Sequence, residues 1–145
     1  MTVIDVPAVR RIAACLQAAM DAHRDTLLDL DRAVGDGDLG LTMTRAAQAA
    51  VEAATADEAA PGRLFMRIGM AMAKAAPSTM GTLVATGFMR GGKAMGDAAQ
   101  VNTAETGRFF CAFVDGILER GRAKLGDKTV ADALAPAAAA LEAAA

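Results

Sequence analysis

The sequence predicts an all-α domain of about seven helices, and three observations carry that prediction. Hydrophobic residues make up 54% of the 145-residue chain, with no Trp, no Tyr and only five Phe. Ala, Leu, Met, Arg and Glu favour helices, while the β-branched and aromatic residues that favour strands are sparse. Apolar residues recur at three- and four-residue spacing, interrupted by glycine- or proline-bearing breaks. The length and the unbroken pattern fit one domain, 1–145, large enough to bury a core.

The first helix begins at Asp5, an N-cap candidate followed by Pro7 in the first turn, and its face is Val9, Ile12, Ala13, Leu16 and Met20. A second helix carries Leu27, Leu28 and Leu30 toward Asp31 and ends near Gly35. Gly35 to Gly40 is too rich in glycine for a helix interior and reads as a loop. A third helix starts near Gly40 or Leu41 and runs through Val51, and a fourth covers 62–75. After the break at Pro77-Ser78-Thr79, a fifth spans about 80–95. Gly87, Gly91 and Gly92 inside it each cost up to about 1 kcal/mol against Ala, so a close neighbour is expected there. A sixth helix runs from Thr103 to Lys124, Gly126 to Thr129 form the next break, and a seventh, Ala-rich helix runs from Val130 to the end. If the helices run up and down, alternate breaks lie at one end and converge.

Several function classes are excluded on composition. A net charge of −2 gives no basic footprint for nucleic acid. Arg, Lys or Gly break every apolar stretch well before about 18 residues, so no membrane span is expected. The first sixteen residues carry Asp5 and two Arg and lack a signal-peptide core, which predicts a cytoplasmic location. Cys15 and Cys111 are far apart and read as buried structural thiols. His23, the single histidine, reads as a residue near the end of the first helix without a catalytic role.

Chemistry concentrates in one loop. Asp31-x4-Asp36-x-Asp38 places three carboxylates within eight residues, with glycines that let the chain fold tightly. Unit charges about 4 Å apart repel by about 4 kcal/mol at an effective dielectric near 20, so a converging cluster needs cations or splays into water. Carboxylates suit Mg²⁺, which completes its shell with phosphate oxygens and water. Gly40 and the following amides add a helix N-terminus for an anion, and Thr42 and Thr44 add hydroxyls. From spacing alone two readings stand: a metal-bridged polyphosphate, or ordinary loop and cap carboxylates. An EF-hand register fails, because a loop starting at Asp36 puts Ala47 at its twelfth position. No paired-aspartate DDxxD run and no phosphate loop of the GxxxxGK[ST] form occur.

The stretch Leu30 to Arg45, LDRAVGDGDLGLTMTR, resembles the acidic signature of the DhaL-type, nucleotide-binding part of dihydroxyacetone kinases. A second stretch agrees in order: Asp115-Gly116-Ile117, Arg120-Gly121-x-Ala123, then Gly126-Asp127-Lys128-Thr129-x-x-Asp132, with Pro136 beyond. The resemblance implies an up-and-down antiparallel barrel of eight helices with ATP or ADP at one end. It implies two Mg²⁺ ions held by Asp31, Asp36 and Asp38, and Leu39, Gly40, Leu41 and Thr42 along the phosphates. By the same resemblance Ser78 and Thr79 belong to the phosphate loop, and Gly121 and Val130 adjoin the adenosine.

Three departures from the family pattern stand out. Leu39 replaces the usual His, and the phosphate loop reads Lys74 to Thr82, KAAPSTMGT, in place of a Gly-Gly-x-Ser-Gly type. The sequence also ends within what would be the seventh helix, so the family's final segment, with its Arg and Asp-Pro-Gly contacts, is expected to be missing and the domain truncated. In the family a His on a separate domain or subunit holds the hydroxyketone, and His23 does not match it. The resemblance therefore implies half of a kinase that needs a DhaK-like substrate-binding subunit. Its nucleotide would be either ATP turned over directly or ADP recharged by a phosphotransferase-system protein. A helical regulatory or partner-binding module without turnover is the alternative. A homo-oligomer or a longer chain is expected to cover the apolar stripes beside the missing end.

Overall fold

The computed structural model describes residues 3–144. Six helices form among them: α1 (Val6–Arg32), α2 (Leu39–Ala53), α3 (Pro61–Ala75), α4 (Thr79–Met95), α5 (Thr103–Gly121) and α6 (Val130–Ala143). No strand forms among the described residues, although Ile4 and Val101 pair as an isolated antiparallel bridge. The all-α prediction holds.

The count is six because the first two expected helices are one. The segment Asp21 to Thr26 is polar but contains neither Gly nor Pro, and a polar run on an exposed face does not break a helix. His23 is accordingly exposed within α1, several residues before the helix end. Asp5 caps α1 as expected, its Oδ1 accepting from the Ala8 amide at 2.8 Å, a contact of about 1 kcal/mol.

Each helix packs on the next in sequence, giving an up-and-down series, while the backbones of α1 and α6 at its two ends make no close approach. The core lies along the inner faces, where Leu64, Ile68, Met72 and Ile117 are almost fully buried. Such burial stabilises by roughly 1.5–3 kcal/mol per side chain. All five phenylalanines join this core through stacked and edge contacts across α3, α4 and α5, the nearest pair being Phe65 and Phe109 with ring centroids 4.6 Å apart. The glycines of α4 allow that packing. A Cβ on Gly87 would lie 2.5 Å from the Phe113 ring, and one on Gly91 2.6 Å from the Phe109 ring. On the opposite side a Cβ on Gly92 would lie 2.5 Å from the Gly62 carbonyl. The expected close neighbours are thus α5 on one side and α3 on the other.

Because the series does not close, its interior keeps an apolar cavity of about 420 Å³. Ile12, Leu16 and Met20 of α1 border it from one end of the series, and Val130 and Leu134 of α6 from the other. The cysteines depart from expectation. Cys15 is exposed on α1 and Cys111 is half-buried, so neither is a sealed core thiol. Burial is the main cause that pushes the Cys111 thiol up, with Glu142 and Asp115 adding to it.

Candidate functional site

The α1–α2 turn folds around one carboxylate. Asp31, in the last turn of α1, reaches across the turn, and its Oδ2 accepts from the amides of Asp38 at 2.9 Å and Leu39 at 3.1 Å. Its carbonyl accepts from Gly35 at 2.6 Å and Val34 at 3.1 Å. The turn needs its glycines for separate reasons. Gly37 sits at φ 75°, in the left-handed region that L-residues avoid. A Cβ on Gly35 would run into Asp31 Oδ1. The consequence is convergence: Asp31, Asp36 and Asp38 each offer a carboxylate oxygen within 4.8 Å of the others. Asp31 is half-buried, whereas Asp36 and Asp38 are exposed. At such separations each pair repels by roughly 1–4 kcal/mol between aqueous and protein-surface dielectrics. Asp31 is held in place by two amides, and an oxygen-liganded divalent cation between the three would remove the repulsion.

A wall faces this cluster. Ser78 caps α4, its Oγ accepting from the Gly81 amide at 3.0 Å. That bond uses a lone pair, so the hydroxyl hydrogen remains available for an anion. Asp31, Asp36, Asp38 and Leu39 share a lobe of about 520 Å³ with Pro77, Ser78, Thr79, Met80 and Leu83. A second lobe of about 640 Å³ shares Pro77, Ser78, Thr79 and Leu83 and continues to Ala73, Thr82, Arg120 and Gly121. The two lobes form one cleft, acidic at one end and bounded at the other by the last turn of α5. Ser78, Thr79 and Met80 at the start of α4 line it, and the dipole of a helix N-terminus favours an anion there.

Of the residues singled out by sequence, the cleft gathers Asp31, Asp36, Asp38, Leu39, Ser78, Thr79 and Gly121. It does not gather the rest. Gly40 is buried because α2 starts there against the backbone of α1, where a Cβ would meet the Arg24 carbonyl. Thr42 is buried, and the Thr44 hydroxyl is enclosed with no hydrogen-bond partner among the described residues. Leu41 is partly exposed but lines neither lobe. Val130, the first residue of α6, lines the apolar interior instead of the cleft.

The third expected break also stays apart. Its aspartates serve the chain itself: Asp132 accepts from Gly126 at 2.6 Å and Thr129 at 2.9 Å, and Asp127 from Lys124 at 3.0 Å. With the Thr129 hydroxyl bonded to the Ala131 amide, the Gly-Asp-Lys-Thr-x-x-Asp run is a capping box for α6. The Gly126 amide first, then that of Thr129, hold the Asp132 carboxyl below its ordinary value. Leu83, just past the expected phosphate loop, was not anticipated as a cleft residue. Leu83 carries no sequence signal, since an apolar helical residue next to a loop is indistinguishable from core.

The chain is similar to proteins of one family. The model of the DAK2 domain matches residues 33–145. The chain is 32% identical over 115 residues to the PEP-dependent dihydroxyacetone kinase 1, ADP-binding subunit DhaL, of Listeria innocua, covering 79% of this chain and 58% of that protein. It is 34% identical over 112 residues to the PEP-dependent dihydroxyacetone kinase, ADP-binding subunit DhaL, of Escherichia coli, covering 76% and 53%. Against the L-erythrulose kinase of Pectobacterium atrosepticum it is 32% identical over 139 residues, covering 89% of this chain but 24% of that protein. The chain thus spans just over half of the DhaL subunits and about a quarter of the longer kinase. The extent of the domain match, across five of the six helices and all of the cleft except Asp31, shows that the chain belongs to the DAK2 domain family.

Proposed function

We propose that this domain binds ADP or ATP with Mg²⁺ and serves as the phosphoryl-donor half of a dihydroxyacetone-type kinase. The observation that carries the reading is the cleft with three converging carboxylates at one end, lined also by the first residues of α4. Asp31, Asp36 and Asp38 would hold the metal, two ions being expected. Bound Mg²⁺ would neutralise the phosphates and align the terminal phosphoryl group for in-line transfer. Ser78 and Thr79 donate hydroxyls to the phosphates, and Leu39 offers only an apolar contact. The walls at Ala73, Leu83 and Gly121 suit the nucleoside. Gly40, Leu41 and Thr42 serve mainly by setting the start of α2, although the amides of Gly40 and Leu41 precede the first internal bond of that helix.

The acceptor comes from elsewhere. No histidine lines the cleft, and His23 lies exposed on α1. A DhaK-like substrate-binding subunit carrying a hydroxyketone or polyol is therefore the partner this reading requires. The DhaL relatives are named for PEP dependence, which favours bound ADP recharged by a phosphotransferase-system protein over ATP turned over directly. A cytoplasmic location fits those substrates, and among the described residues no helix is long and apolar enough to cross a membrane. The apolar pocket bordered by α1 and α6, whose backbones make no close approach, supports self-association or a covering segment. The rival reading, a regulatory module without turnover, draws on Leu39 in place of the family His.

A thermal-shift titration tests the core of the proposal. ADP at 100 times its dissociation constant should add about 2.7 kcal/mol, in Mg²⁺ but not in EDTA. An equal shift in EDTA rules out the metal bridge. Phosphorylation of dihydroxyacetone should require an added substrate-binding subunit, and turnover by this chain alone would contradict the division of labour.

A further inference from the structure

Resting on the nucleotide reading, we propose that Arg120, beside the nucleoside end of the cleft, binds the phosphate nearest the nucleoside. Arg120 is the one cation among the described residues lining either lobe of the cleft, and it stands at the end opposite the three carboxylates. Its placement follows from α5. Arg120 and Gly121 end that helix, and the chain then turns away through Arg122 in a left-handed conformation, φ 52°. Arg120 lines the cleft and also the adjoining pocket with Glu119 and Arg122.

The neighbouring carboxylate does not neutralise it. Glu119 is ion-paired to Arg90, whose methylenes lie over Gly116, where a Cβ would come within 2.9 Å of Arg90 Cδ. Arg90 raises no competing claim on the cleft, because it lines only the adjoining pocket with Thr86, Glu119, Arg120 and Arg122. Arg120 itself forms no ion pair among the described residues. A guanidinium without a carboxylate partner at the edge of a cleft presents a planar fork of donors that matches phosphate oxygens.

Charge balance gives it work to do. Three aspartates together with a nucleoside diphosphate outweigh even two divalent cations, so the loaded cleft stays net negative. Its one lining cation offsets part of that excess. The bland role for Arg120, a cation at a helix C-terminus interacting with the dipole, predicts an effect on stability and none on affinity.

The test is calorimetric titration of the parent, Arg120→Gln, Arg120→Lys and Arg122→Gln with Mg-ADP and with adenosine, alongside thermal melts. Arg120→Gln should weaken Mg-ADP about tenfold, flatten the salt dependence of its Kd, and leave adenosine binding unchanged. Arg120→Lys should lie between it and the parent, and Arg122→Gln should match the parent. Parent-like Mg-ADP affinity in Arg120→Gln, or an equal loss for adenosine, overturns the assignment. Should Arg120→Gln melt early, Arg120→Lys decides, because unchanged affinity and salt dependence there also overturn it. A parent that binds no Mg-ADP sinks the nucleotide reading itself and this assignment with it, whereas a binding parent with an unaffected variant removes Arg120 alone.

Discussion

Replacing Asp31 and Asp36 in turn by Ala separates building the loop from binding the metal. Both variants lose one carboxylate of the converging triad, so relief of repulsion is similar in the two and cancels in their comparison. What differs is the pair of hydrogen bonds that Asp31 accepts from Asp38 at 2.9 Å and Leu39 at 3.1 Å. Bonds to a charged acceptor contribute about 1.5–3 kcal/mol each when buried, and partial exposure reduces that to about 1 kcal/mol apiece here. The metal-free variants should then differ by about 2 kcal/mol. For a domain of this size each kcal/mol moves Tm by about 2–4 °C, so Asp31→Ala should melt about 4–8 °C below Asp36→Ala. Differential scanning fluorimetry in EDTA measures that gap. The same melts in Mg²⁺ and ADP should show the ligand-induced rise abolished in both variants. Equal metal-free Tm values would refute the anchoring role of Asp31, and a surviving rise in Asp36→Ala would refute its place in the metal site.

Three further outcomes are expected. Gly91→Ala should lower the denaturation midpoint, because a Cβ 2.6 Å from the Phe109 ring costs about 1–3 kcal/mol in overpacking against at most about 1 kcal/mol of gained helix propensity; a raised midpoint would show that the ring yields freely. A thiol reagent at mild alkaline pH should label exposed Cys15 rapidly and Cys111 slowly, since burial raises the latter's thiol, and equal rates would contradict this order. Asp132 has a lowered folded-state pKa, so its stabilisation is present above the ordinary carboxylate range and is lost as pH falls through the lowered value. Asp132→Asn should therefore melt below the parent near neutral pH, with the gap closing in acid; a gap independent of pH would sink the capping account.

The helices were legible where local signals agree. Asp5 and Pro7 at the start of α1, the break at Pro77-Ser78, and the glycines of α4 each act within a turn or two of themselves, so pattern alone locates them. The polar segment Asp21–Thr26 misled because exposure and interruption look alike in a sequence. In the candidate site, the aspartates declare themselves because three carboxylates around glycines are chemically distinctive. Leu83 and the place of Arg120 in the cleft do not, since their neighbours lie on other helices.

By itself the sequence determined the all-α class, the Asp5 cap, and the acidic loop with its family signature, all of which depend on residues adjacent along the chain. Only tertiary packing decided that the Ser78 cap and the end of α5 face that loop across one cleft. Packing likewise gave Gly40 to a helix contact and Val130 to the apolar interior. The physical reason is common to all of these. A residue's chemistry is intrinsic, but its availability to a ligand depends on which distant backbone or side chain reaches it first.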